Sequence, residues 1–246
     1  MLTALLVGLI AGLIDSIAGG GGLITLPYLT LELIDPAHAV GTNKIIGGLG
    51  ALTAFLIYQR AHKTNLKEGL SFCLTVAAGS WTGSKITPHI PSEYFTWVLL
   101  VMSPLILWVI LQKDLLIKER LRFHKNLSLA AFASAFLVGI YDGGFGPGGG
   151  TFMLLALLLV AKLPLLHALT LSKLANTFSA GTSLVSFAIG GYVHWRLGLI
   201  TGTAMIVGAF IGSKAASKHT LKLVRPTLVV VVIILMLSLV RKLITP

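Results

Sequence analysis

Ten apolar runs divide this chain, at about 2–14, 23–33, 40–58, 69–87, 94–111, 127–141, 151–161, 165–189, 197–213 and 223–240, and most charged residues gather in the gaps between them. Six are long enough to cross a bilayer as a helix, which takes roughly 17–25 residues. The four short ones form two pairs, each split by a glycine cluster: Asp15 to Gly22, and Asp142 to Gly150. Only 11% of residues are charged, against about 25% in a soluble domain. So few charges leave no means of covering a water-facing surface. The chain reads as an all-α polytopic protein of the cell (inner or plasma) membrane, crossing it several times.

The net charge is +11. Lysines and arginines in short gaps between apolar runs fit the positive-inside bias of membrane loops better than a nucleic-acid surface. No nucleic-acid partner is expected. Cys73 is the single cysteine and sits inside an apolar run, so no internal disulfide is available. The N-terminal MLTALLVGLIAGLIDS lacks a basic n-region, so no cleaved signal peptide is expected.

The two halves match each other. Between 38–85 and 167–214, eleven of forty-eight positions are identical without a gap, at an offset of 129; the pairs include His38 with His167, Lys44 with Lys173 and Gly83-Ser-Lys85 with Gly212-Ser-Lys214. Asp15 and Asp142 correspond at an offset of 127. This reads as an internal duplication, each copy a glycine-broken helix pair, re-entrant or discontinuous, followed by three transmembrane helices. The first repeat covers 1–111, a basic loop 112–126, and the second repeat 127–246. If each broken segment dips in and returns, the repeats are inverted and basic residues divide thirteen to four between the two sides; eight spans in parallel repeats give eleven to six. Positive-inside favours the inverted arrangement, modestly.

Non-helical backbone cannot face lipid, because each unsatisfied group costs several kcal/mol there. Two glycine breaks at matching places in a repeat therefore point to a protein-lined or wet cavity, the place where transporters bind substrate. The helices that restart after the breaks, at about Leu23 and Thr151, offer free N–H groups that favour an anion. Gly20, Gly21 and Gly22, with Gly148, Gly149, Gly150 and Thr151, are the candidate backbone part of that site. A packing kink is the plain alternative.

Lys44 and Lys173 lie near the starts of long apolar runs, where a buried lysine costs about 2.5–3.5 kcal/mol and usually faces protein or water. They read either as an anion-binding pair, with Asn43, Ser172 and Asn176 adding hydrogen bonds, or as partners in ion pairs with Asp15 and Asp142. Those two aspartates stand just before the breaks, where a carboxylate opposes the helix dipole and needs a partner. Ion pairing or a coupling proton are the roles considered for them. Gly8/Gly12, Gly79/Gly83, Gly198/Gly202 and Gly208/Gly212 are G-x-x-x-G pairs suited to close helix packing.

Gly144, Gly146 and Gly149 match the G-x-G-x-x-G of a dinucleotide loop, but the match is accidental. That loop needs an acidic residue about twenty positions on, and Asp142 is the last Asp or Glu in the chain. There is no Ser-His-Asp, C-x-x-C or H-E-x-x-H constellation and no metal-ligand spacing among the seven histidines. Neither an enzyme activity nor a cofactor or metal is expected.

The ordered set GLIAGLIDSIAGGGG, AVGTNK, DGGFGPGGGT and ALTLSKLAN resembles the TauE/SafE sulfite exporter family, also called the toluene-sulfonate uptake permease family. The likeness covers nearly the whole chain. It implies a membrane transporter, importer or exporter, of small sulfur-containing anions such as sulfite, sulfonates (including organosulfonates) or thiosulfate. Asp15, Gly19–Gly22, Asn43, Lys44, Asp142, Gly146–Gly150, Lys173 and Asn176 are its motif positions here. Proton coupling is one expectation; a channel-like or scaffold membrane protein is the alternative. The partners expected are a small anion and the lipid bilayer, with a homo-oligomer left open.

Overall fold

The computed structural model describes residues 1–33, 35–91 and 128–244. All regular structure among them is helical: α1 (Leu2–Ala18), α2 (Gly22–Glu32), α3 (Pro36–His62), α4 (Lys67–Ile86), a 3-10 turn (Thr87–His89), α5 (Leu129–Gly144), α6 (Gly149–Leu155) running into a π-helical turn (Ala156–Val160), α7 (Leu165–Ile189) and α8 (Trp195–Ile244). The apolar run 94–111 and the loop 112–126 lie outside the described residues.

Local signals set these ends. Asp35 caps α3 by accepting from the Ala37 N–H, with Pro36 in the first turn, and Ser128 accepts from the Ala131 N–H at the start of α5. Gly19 closes α1 in the left-handed region at φ 87°, a conformation that only glycine adopts freely. Helix restarts at Gly22 and Gly149 rather than Leu23 and Thr151. His38 and His167 both stand in the first turn of their helices.

Both breaks turn the chain back on itself. A cavity of about 220 Å³ is lined by Met1 and Ala4 at the start of α1 together with Tyr28 and Glu32 at the end of α2, so α2 returns toward the end from which α1 set out. In the second half the Tyr141 hydroxyl donates to the Pro147 carbonyl at 2.8 Å, and its ring meets Phe152 edge-on at 5.0 Å. These are helical hairpins, not kinked continuous helices.

The helices of the two halves interlock. α1 packs along α8 and α5 along α4, while α3 and α7 form the central pair. Glycines set the closeness. A Cβ on Gly12 would lie 2.3 Å from the Met205 carbonyl oxygen, and one on Gly139 2.3 Å from that of Val76. A Cβ on Gly208 would lie 2.0 Å from the Leu9 oxygen, and one on Gly79 2.2 Å from that of Phe136. Residues 12 and 139, like 9 and 136, differ by 127; residues 76 and 205, like 79 and 208, differ by 129. Gly198 and Gly202 instead meet the flexible side chains of Ile45 and Leu49, a looser contact.

Two stretches differ from expectation. The runs 197–213 and 223–240 are joined in one helix, α8, about 75 Å long at 1.5 Å per residue. The linking residues Lys214–Arg225 contain no glycine and are mostly good helix formers, so charge alone does not break the helix; Pro226 is accommodated inside it. Among the described residues, Pro36–His62 and Trp195–Lys218 combine the length and the hydropathy of a membrane span. α4 and α7 have the length, but serines and threonines dilute them, and many of these (Ser80, Ser84, Thr170, Ser172, Ser179, Ser183) are buried against protein.

Candidate functional site

The two hairpin tips meet at the centre. A Cβ on Gly19 would lie 2.6 Å from the Gly150 carbonyl carbon, and one on Gly22 would lie 3.3 Å from the Pro147 Cα. Only bare backbone allows the tips to approach this closely. Between them and the α3–α7 pair lies a cavity of about 30 Å³, lined by Asp15, Gly19, Gly22, Asn43, Lys44, Gly47, Asp142, Gly146, Gly150, Asn176 and Ala180. That is room for one or two waters, less than a sulfur oxyanion occupies.

Around this cavity the buried charges are exchanged between the halves. Lys44 on α3 donates to the Asp142 carboxylate, Nζ to Oδ2 at 3.3 Å, and also to the Asp142 backbone carbonyl. Lys173 on α7 does the same to Asp15, with Nζ to Oδ2 at 3.2 Å. All four side chains are at most 5% exposed. Two of the three protons on each ammonium are thus taken, one by a carboxylate and one by a carbonyl in the last turn of a half-helix. The lysines complement the negative ends of α1 and α5, which answers how carboxylates are tolerated there.

Each carboxylate also makes a second set of contacts. Asp15 Oδ1 accepts from the Gly21 N–H at 3.0 Å, so it caps the positive start of α2. Asp142 Oδ2 accepts from the Ser179 hydroxyl, while Ser80 donates to the Ser179 backbone carbonyl at 2.8 Å with its oxygen 2.8 Å from Ser179 Oγ, and a Cβ on Gly149 would lie 1.9 Å from Asp142 Oδ1. The remaining backbone at the breaks is met by side chains too. Tyr58 donates to the Ser16 carbonyl at 2.7 Å and Thr87 to that of Gly144 at 2.7 Å, as non-helical backbone away from water requires.

Seven expected site residues come together in the cavity wall: Asp15, Asp142, Lys44, Asn43, Asn176, Gly22 and Gly150. Asn43 is oriented by Thr25, whose hydroxyl donates to Oδ1 at 2.5 Å, which leaves the amide nitrogen toward Gly22 and Gly146. Lys173 is not in the wall; it lies 1% exposed and paired with Asp15. Ser172 is also apart, its hydroxyl turned back to the Leu169 carbonyl at 2.8 Å, as a helical serine commonly does. Gly20, Gly21, Gly148, Gly149 and Thr151 shape the tips without lining the cavity; Gly148 supplies φ 73° and Thr151 is buried against Gly19.

Sequence reading missed Ser179, Ser80, Thr25 and Gly47. For two of them a signal was present. Gly47 follows Lys44 by three residues and Ser179 follows Asn176 by three, so each shares a helix face with an identified residue.

A profile of the family described as "Sulfite exporter TauE/SafE" matches residues 4–239. The chain is 35% identical over 233 residues to "Probable membrane transporter protein ORF9" of Sinorhizobium sp, covering 94% of this chain and 88% of that one. It is 34% identical over 230 residues to "Probable membrane transporter protein YfcA" of Escherichia coli (strain K12), covering 92% and 84%. A "Probable membrane transporter protein" of Haemophilus influenzae is 34% identical over 225 residues, covering 91% and 88%. These relatives are named as transporters and none as an enzyme. No solved structure matches the chain. With the match running through both glycine breaks and all four buried charges, the chain belongs to the TauE/SafE sulfite exporter family.

Proposed function

We propose that this chain is a secondary transporter of small sulfur-containing anions, such as sulfite, thiosulfate or sulfonates, in the cell membrane. It is built as two inverted repeats, 1–111 and 127–246, joined by the basic loop 112–126. Each repeat contributes one re-entrant hairpin and three apolar runs of spanning length, the last two of the second repeat, 197–213 and 223–240, lying within the single helix α8. The repeat reading is supported by glycine contacts that recur at offsets of 127 and 129, and the inverted topology by the return of α2 to the start of α1.

The observation that carries the reading is the pair of exchanged ion pairs beside the hairpin tips, Lys44 with Asp142 and Lys173 with Asp15. A structural ion pair needs only one acid and one base. Here both are repeated, both stand at backbone breaks, and they adjoin a cavity with the amides of Asn43 and Asn176 in its wall. Ammonium, amide N–H and helix-start N–H groups together make an oxyanion site. The smallness of the cavity favours an occluded transporter over a channel-like pore. The test is thermal stabilisation of the purified chain by a panel of sulfite, thiosulfate, sulfate, taurine and aryl sulfonates, since a ligand bound only by the folded state raises its stability by mass action. Selective stabilisation by one or more of these anions is expected. A flat response to the whole panel contradicts the reading.

A further inference from the structure

Asp15 holds two donors at once. Its carboxylate takes the Lys173 ammonium through Oδ2 at 3.2 Å and the Gly21 N–H through Oδ1 at 3.0 Å. Asp142 likewise holds Lys44 through Oδ2 at 3.3 Å, with Ser179 on the same oxygen. An ammonium beside a hydroxyl, or beside the N–H at a helix start, is the donor set an oxyanion seeks. In this structure the carboxylates already fill it. They also line the cavity whose 30 Å³ is too small for a sulfur oxyanion.

The lysines have a second acceptor that does not titrate, the backbone carbonyl of the same aspartate. If the carboxylate lets go, the ammonium stays anchored at the end of the half-helix. The aspartate is therefore the replaceable partner and the carbonyl the permanent one.

We propose that Asp15 and Asp142 are resident stand-ins for the transported anion, and that each takes up a proton as the anion displaces it. This rests on the anion-transporter reading above. The balance is simple. A lysine–carboxylate pair is neutral. When an anion oxygen takes the ammonium, the carboxylate gains a proton from water and becomes a neutral acid, while the lysine keeps its own. One proton enters for each carboxylate displaced, so a dianion displacing both arrives with two protons and the site stays neutral. In a low-dielectric interior, neutrality avoids the large penalty of an unpaired buried charge.

Among the described residues, these other groups surround each carboxylate. Asp15 is faced by Lys173 from α7, the Gly21 N–H before α2, and Tyr58 of α3, which donates to the adjoining Ser16 carbonyl. α8 presents Gly212 against Ser16, with the exposed Lys214 over the Phe210 ring. Asp142 is faced by Lys44 from α3, Ser179 from α7 with Ser80 of α4 behind it, and Gly149 of α6; the Tyr141 phenol is committed to Pro147. The exposed Lys85 of α4 lies over Trp81. Both aspartates line the cavity together with Lys44, Asn43 and Asn176.

The test uses the purified full chain in weak buffer with a pH-sensitive dye, and thiosulfate as probe because it stays a dianion near neutral pH. Wild type is expected to take up protons as thiosulfate binds. D15N and D142N, shaped like the protonated acids, are each expected to take up one proton fewer, and the double variant none, while thiosulfate still stabilises each against heat. Binding by wild type without proton uptake overturns the step, as does undiminished uptake in the double variant; the wild-type arm decides even if a variant does not fold. If another anion of the panel stabilises wild type where thiosulfate does not, the dye measurement is made with that anion; no stabilisation by any of them overturns the anion site and this step together.

Discussion

Lys173 reaches back 158 residues to Asp15 and binds both its carboxylate and its backbone carbonyl. Lys44 repeats the arrangement with Asp142 at a separation of 98. Each lysine thus locks the hairpin tip of the opposite half. The pairs are structural, and the anion-binding role proposed for them is separable from that by experiment.

Removing one member of a buried pair leaves the other unpaired, typically at 3–5 kcal/mol. Asp15→Ala is expected to lower thermal stability by that order, and Asp15→Ala with Lys173→Ala to recover a substantial part of it. A double-mutant cycle in detergent measures the coupling. Additive losses would show that the pair does not interact.

Gly47 lines the cavity and has open space where a Cβ would stand. Gly47→Ala is expected to leave stability unchanged or raise it by up to about 1 kcal/mol, since alanine suits a helix interior better than glycine and meets no clash here, while weakening anion binding by filling part of a cavity of 30 Å³. Thermal unfolding with and without thiosulfate measures both effects. Unaltered binding would place the anion elsewhere.

Gly19→Ala meets the opposite situation. Its φ of 87° disfavours any side chain, and its Cβ would press 2.6 Å from the Gly150 backbone. The αL strain alone is about 1–2 kcal/mol, and the clash adds to it. Loss of folded yield is expected, with Gly181→Ala, which has nothing within 4 Å, as the neutral control. Size-exclusion profiles of the two variants check this.

Ser179→Ala removes the hydroxyl that donates to Asp142. A hydrogen bond to a charged group contributes about 1.5–3 kcal/mol, so a measurable loss of stability is expected, with Lys44 left to hold Asp142 alone. Unfolding of the variant measures it.

Much of this arrangement was legible in the sequence, because membrane burial makes every exception meaningful. Lys44, Lys173, Asp15 and Asp142 stood out as charges at depth, and the glycine clusters as backbone that lipid forbids. Which lysine meets which aspartate was not legible. Cross-pairing depends on how the halves interlock, and identity between the halves carries no information on that. Where the Ser172 hydroxyl points was not legible, because residue type alone does not tell an inward hydroxyl from one bonded to its own helix. The continuity of α8 was hidden because a cluster of basic residues resembles a loop, although lysine and alanine extend a helix readily.

The most direct test is counterflow of labelled thiosulfate and sulfite in proteoliposomes, comparing wild type with Lys44→Ala and Lys173→Ala at equal amounts of folded protein. Saturable uptake by wild type, and its loss by tenfold or more in both variants, is the predicted result, tenfold being about 1.4 kcal/mol of lost interaction. Unchanged uptake in both variants would contradict the claim that the exchanged pairs form the anion site.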